Sequence, residues 1–189
     1  MKTIAIVGGI GSGKSVVANI IKSLGYDVYD CDSRAKYLMD CSDEIKRQLI
    51  TKISPNTVTQ NNQIDRPTLA KIVFNNSQKL TVLNRIVHHA VLDDFCNWRE
   101  NLPNDKCLVE TAILYESGLH KLVNQVWEVT APIDLRISRV MCRNNMSRAD
   151  VEARIKSQPT QPAILPTTQI INDDKTPILP QIENLIHRL

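Results

Sequence analysis

The stretch Gly8-Gly9-Ile10-Gly11-Ser12-Gly13-Lys14-Ser15 constrains this chain more than any other. It satisfies G-x-x-x-x-G-K-[ST] between an apolar run, Thr3 to Val7, and a segment whose apolar residues recur at helical spacing. Strand, glycine loop and helix in that order are the setting in which such a loop binds phosphate. Glycines let the backbone curl with its N–H groups facing inward, and the following helix turns its positive end to the same anion. In this reading Gly9, Gly11, Ser12 and Gly13 line the cradle, with Val16 just behind it. Lys14 reaches the β- and γ-phosphates, and the Ser15 hydroxyl ligates Mg²⁺. The expected ligand is a nucleoside triphosphate with its metal. A glycine-rich turn that merely contains Lys-Ser is the bland alternative, and the flanking strand and helix weigh against it.

The length of 189 residues with 42% hydrophobic content suits one compact domain with room for a small insertion. The formal charge of +3 comes from Lys and Arg spread along the chain, which gives no reason to expect nucleic acid as a partner. Five cysteines form no C-x-x-C pair and an odd count cannot close fully into internal disulfides, so they read as reduced thiols in a cytoplasmic protein. The apolar run Ile4 to Val7 is too short for a signal-peptide core, and no stretch approaches the length needed to cross a bilayer.

Val16, Val17, Ile20, Ile21 and Leu24 carry the first helix, and Gly25 stands where it stops. Tyr26 to Tyr29 alternates as a second strand and ends at Asp30-Cys31-Asp32. At the carboxyl end of a parallel strand these acids are expected to face the phosphate site. A solvated turn in which an Asp caps the next helix is the alternative. Residues 33 to 100 read as mostly helical, with segments at Asp43 to Lys52, Pro67 to Phe74 and Ser77 to Trp98 around a polar loop from Ser54 to Gln63. Along the last of these Leu80, Leu83, Val87, Val91, Phe95 and Trp98 keep one apolar face. The block is the expected acceptor-binding insertion, about 33–103, set between core segments 1–32 and 104–189. His88 and His89 are sequence neighbours that do not share a helix face and make a poor metal pair. His88 is either a solvated or capped histidine or a contact for an anion.

Cys107 to Val109 is a third strand closed by Glu110, an acid placed to hold the Mg²⁺ water shell. Val126 to Thr130 is a fourth, and Pro132 suits the first turn of a helix carrying Arg136, Arg139 and Arg143. Arg139 and Arg143, four apart, share a face. Their planar forks could clamp a migrating phosphoryl group, or form an ordinary solvated basic face. Ser147-x-x-Asp150 opens a further helix in the manner of a capping box. Gln158 to Pro166 is a Pro-rich loop or lid edge, and the lid spans about 143–166. Gln169 to Ile171 is the last strand, followed by a helix from Thr176-Pro177 whose Ile178, Ile182, Leu185 and Leu189 pack on the sheet. The fold expected is three-layer α/β/α, with a five-stranded parallel sheet between helices.

Phosphoryl transfer asks for a base for the acceptor hydroxyl, positive charge around the migrating group and a lid that excludes water. Asp32 or Asp30 offers the base, and Lys14 with Arg139 and Arg143 the charge. A guanine-reading N-K-x-D element is missing, which argues against a GTPase. Another small-molecule kinase and a non-catalytic nucleotide-binding protein remain as alternatives.

At family level the chain resembles dephospho-CoA kinase, within the P-loop kinases. The resemblance rests on Gly8 to Ser15, Asp30-x-Asp32, Ile64-Asp65-Arg66 with Val73-Phe74, and Leu83-Asn84 with His88. It continues through Leu114-Tyr115-Glu116-Ser117-Gly118-Leu119, Arg139-x-x-x-Arg143 and Ser157-Gln158, in the same order along nearly the whole chain. It implies ATP- and Mg²⁺-dependent phosphorylation of the ribose 3′-hydroxyl of dephospho-CoA. Asp32 then matches the general base, the helical block the CoA-binding region, and the segment with Arg139 and Arg143 the lid. Asp30, His88, Glu110 and Glu116 are the further residues expected at the substrate. The sequence departs from the family pattern at Val16, at His89 and Ala112 where Pro is usual, and along Gln158 to Asp174.

Overall fold

The computed structural model describes residues 1–158 and 164–189. Pro159 and Pro162 of the expected lid edge therefore lie outside the described residues. In chain order the elements are β1 (Lys2–Val7), α1 (Lys14–Ser23), β2 (Val28–Asp30), α2 (Cys31–Cys41), α3 (Asp43–Lys52), α4 (Arg66–Phe74), α5 (Ser77–Glu100), β3 (Lys106–Glu110), β4 (Gln125–Thr130), α6 (Ile133–Asn144), α7 (Arg148–Ser157), β5 (Thr167–Ile171) and α8 (Ile178–Ile186). They form two compact units, Met1–Tyr29 with Pro103–Leu189, and Asp30–Leu102.

The first unit carries the five-stranded sheet, in the order β2-β3-β1-β4-β5. β1 runs parallel to β3 and β4, with Ile6 beside Glu110 and Val7 beside Glu128, and β4 runs parallel to β5. A strand with neighbours on both edges and helices on both faces must be apolar throughout. Ile4, Ala5 and Ile6 are fully buried, as that position demands. Around them pack Val17 and Ile21 of α1, Leu108, Trp127, Val129 and Ile170 of the sheet, and Ile182 of α8. Ile178, Leu185 and Leu189 join this core as their spacing predicts.

The second strand begins later than expected, at Val28 instead of Tyr26. The reason lies in the end of α1. Gly25, at φ +88°, donates its N–H to Lys22, and Tyr26 donates to Ile21. This reversal binds the last carbonyls of the helix and holds Tyr26 in the cap, so extended pairing starts two residues on.

The second unit is helical, and its core gathers Ile45, Leu49, Ile53, Leu69, Val73 and Ile86. Each of its helices starts on a side-chain cap: Asp30 accepts from the Ser33 N–H, Ser42 from Ile45, Asp65 from Thr68 and Asn76 from Lys79. Such caps satisfy N–H groups that the helix itself leaves without partners. The polar loop after α3 is closed by a short antiparallel bridge between Val58 and Ile64. Along α5 the buried positions are Ile86, Val91 and Phe95, and the expected Val87 is only partly covered. Ile86 turns into the cluster built from α3 and α4, which rotates the apolar face by one residue at mid-helix. An ion pair from Arg34 of α2 to Asp94 of α5, at 2.8 and 2.6 Å, ties these helices together.

Candidate active site

The loop from Gly8 to Ser15 links the carboxyl end of β1 to the amino end of α1. Its first two carbonyls are held within the loop, and the next three from outside the curl. Gly8 O accepts Lys14 Nζ at 2.9 Å, Gly9 O accepts the Ser12 N–H at 3.1 Å, and Ile10 O accepts Arg136 Nε at 2.9 Å. Gly11 O accepts Arg139 Nη1 at 3.4 Å, Ser12 O accepts Asn172 Nδ2 at 2.8 Å, and Gly13 O takes the Val16 and Val17 N–H groups of α1. A peptide whose carbonyl is fixed outward presents its N–H inward, which is the arrangement that binds an anion. The glycines are needed here on steric grounds. Gly11, at φ +78°, lies so close to α6 that a Cβ would stand 2.5 Å from the Arg136 carbonyl oxygen. Gly13, at φ +95°, starts α1 in the left-handed region with the Asn172 side-chain amide filling the place of a Cβ.

α1 therefore begins without a side-chain cap. Its first N–H groups are the kind of orphan donors that a phosphate satisfies. Ser12 is buried, and its Oγ has no hydrogen-bond partner among the described residues. Outward carbonyls, an uncapped helix start and an unsatisfied hydroxyl all fit a bound polyphosphate. Ser15 and Val16 are exposed in the first turn of α1.

Several side chains brace this loop, and to Arg136, Asn172 and Gln158 the sequence reading gives no role at it. Arg136 bonds Ile10 O, and burial pushes its guanidinium below its ordinary pKa. Asn172, just past β5, is buried and reaches both the loop and Arg139, whose Nη2 donates to Asn172 Oδ1 and O at 3.2 Å. Arg139 also pairs with Asp174. Gln158, at the end of α7, accepts the Ile10 N–H at 2.8 Å. The helices α6 and α7 are joined by the apolar cluster Ile137, Val140 and Val151, against which Ile10, Met141, Met146 and Ile155 pack. Arg148 adds hydrogen bonds to Asp134 and Glu152, which raise its own pKa.

The expected arginine pair divides. Arg139 bonds the loop, whereas Arg143 is exposed and donates its Nε to Asn144 on the same helix at 3.0 Å. Glu110 closes β3 partly buried, and Glu116 is exposed after it. Asp30, Asp32 and His88 belong to the second unit. Asp30 caps α2: Oδ1 accepts the Ser33 N–H at 3.0 Å and Oδ2 the Ser33 hydroxyl at 2.6 Å. Asp32 is exposed in the first turn of the same helix, and His88 is half-buried on α5. Among the described residues no group of three or more His, Cys, Asp or Glu side chains gathers to hold a metal ion, and no helix is long and apolar enough to cross a membrane.

A family model described as dephospho-CoA kinase matches residues 2–177. A dephospho-CoA kinase of Porphyromonas gingivalis is 38% identical over 189 residues, covering 98% of this chain and 93% of the relative. A crystal structure from Thermus thermophilus superposes with a TM-score of 0.77 at 30% identity, over 99% of this chain and 95% of that one. Dephospho-CoA kinase from Campylobacter jejuni gives a TM-score of 0.67 over 100% and 97% of the two chains, and at 24% identity this likeness speaks for the fold. With the match running from β1 past β5 and including the phosphate loop, the chain belongs to the dephospho-CoA kinase family.

Proposed function

We propose that this chain is an ATP-dependent kinase that passes the γ-phosphoryl group to the ribose 3′-hydroxyl of dephospho-CoA, giving coenzyme A. The observation that carries the reading is the family match across residues 2–177, which takes in a phosphate cradle already built. In this proposal the loop amides and Lys14 hold the β- and γ-phosphates. Ser15 would ligate Mg²⁺, with Glu110 on its water shell, and the ion would supply positive charge to offset that of the phosphates. Asp32 takes the proton of the acceptor hydroxyl while that oxygen bonds to the γ-phosphorus and the bond to the ADP oxygen breaks. The twin hydrogen bonds from Ser33 to Asp30 favour Asp32 over Asp30 as that base.

Arg139 acts at the loop as brace and positive charge, and Arg143 is assigned to the lid. Asp30, His88 and Glu116 are assigned to the acceptor from the family pattern. Free cysteines, with Cys41 and Cys142 exposed, support a cytoplasmic setting. The test is a coupled ATP-turnover assay with dephospho-CoA against adenosine, shikimate and nucleoside monophosphates. The expected result is turnover with dephospho-CoA far above the others, and equal or better turnover of any rival would overturn the assignment.

A further inference from the structure

The arginines of α6 and α7 differ in how their charge is met. Arg139 pairs with Asp174, Arg148 pairs with Asp134 and Glu152, and Arg143 and Arg154 stand exposed to solvent. Arg136 is partly buried and has no carboxylate partner among the described residues. Among those residues its side chain makes one hydrogen bond, from Nε to the neutral Ile10 carbonyl at 2.9 Å, which leaves the N–H donors of Nη1 and Nη2 without an acceptor. A cation drawn out of water without a counter-charge is costly, and an incoming anion relieves that cost.

The place of Arg136 against the loop is fixed. Its carbonyl closes on Gly11, and Nη2 lies so near Gly9 that a Cβ there would overlap it. Gly9 adjoins Gly8, whose carbonyl accepts Lys14 Nζ. In a loop of this kind the main-chain N–H groups cradle the α- and β-phosphates, and the lysine reaches on to the γ-phosphate. Arg136 therefore stands at the lysine end of the loop, where a third phosphate would lie.

We propose that Arg136 contacts the γ-phosphate of bound ATP through its Nη1 and Nη2 groups, beside Lys14. The proposal rests on the reading that the loop holds ATP phosphates. A guanidinium already held by its Nε loses little freedom on binding, and the rest of its planar fork matches two phosphate oxygens. As an arginine supplied by the same chain, it would add positive charge to the group being transferred.

Arg136→Met keeps an unbranched stem and removes charge and donors, and Arg136→Lys keeps the charge without the fork. Calorimetry with Mg²⁺ compares a non-hydrolysable ATP analogue with ADP, which lacks the γ-phosphate. In Arg136→Met the ratio of analogue affinity to ADP affinity should fall roughly 10- to 100-fold below that of wild type, the range of a hydrogen bond to a charged group. In Arg136→Lys it should fall less. Loss of the Ile10 bond alone would loosen the loop for both nucleotides and leave the ratio at its wild-type value. An unchanged ratio would therefore overturn the proposal, whether both affinities drop together or neither moves. A wild-type chain that binds neither nucleotide would refute the ATP reading itself. One that binds both yet fails to phosphorylate dephospho-CoA would sink only the acceptor assignment.

Discussion

The amino ends of α1 and α2 solve the same problem in opposite ways. Both helices begin with N–H groups that have no partner within the helix. At α2 the chain supplies the partner itself, since Asp30 caps the first turn. At α1 it supplies a left-handed glycine and no side chain, and fixes the preceding carbonyls away from the opening. The difference teaches which helix start is closed by the chain itself and which is left with open donors, as an anion-binding helix start would need. It also separates two carboxylates that the sequence presents as equals. Asp30 is engaged in holding its helix, and Asp32, two residues on, is exposed.

The largest expected effect comes from the exposed acid. Asp32→Asn should lower kcat by roughly 10²- to 10⁴-fold, the range of general acid–base contributions, with ATP-analogue affinity unchanged. Near-normal turnover would move the role to Asp30 and erase the contrast drawn above. Next is the cap. Asp30→Ala should cost about 0.5–2 kcal/mol of stability in denaturant unfolding. The analogue should bind that variant as it binds wild type; weakened binding would mean that the two helix starts are not independent.

The smallest effect concerns pH. Asp65, which caps α4, is held below the usual carboxylate range by hydrogen bonds from the Thr68 N–H and side chain. A carboxylate with a depressed pKa contributes stability above its unfolded pKa and loses it as pH falls through the folded one. The melting-temperature gap between wild type and Asp65→Ala should therefore be full at neutral pH and shrink on acidification below the ordinary carboxylate range. A gap that stayed constant to acid pH would assign the cap's effect to hydrogen bonding without charge.

Local signals in the sequence carried over into structure. Helix α3 runs from Asp43 to Lys52, as its pattern predicts, because its start is fixed by the neighbouring Ser42. The phosphate loop is legible because each of its requirements lies within eight residues of the next strand or helix. What is hidden is set by long-range contact. Asn172 and Gln158 meet the loop across separations of 160 and 148 positions, which no periodicity encodes. The arginines show a further limit. Spacing places Arg139 and Arg143 on one face, one turn apart, but does not say which turn of the helix meets the loop. The loop lies against the first turns of α6, at Arg136, and Arg143 stands about 10 Å further along the axis. Arg136 could have been picked out as the first basic residue of a helix that follows a parallel strand.

Ile10 alters how this loop must behave in time. A glycine-rich loop ordinarily opens alone, at little free-energy cost, and its amides exchange readily with solvent. Here Ile10, in the middle of the loop, is partly buried against the apolar cluster of α6 and α7 and hydrogen-bonded to Arg136 of α6 and to Gln158 at the end of α7. Loop and helical pair are then expected to open together, with the Ile10 amide exchanging its hydrogen at the pace of the helices and not of a loop, which hydrogen-exchange measurement would read.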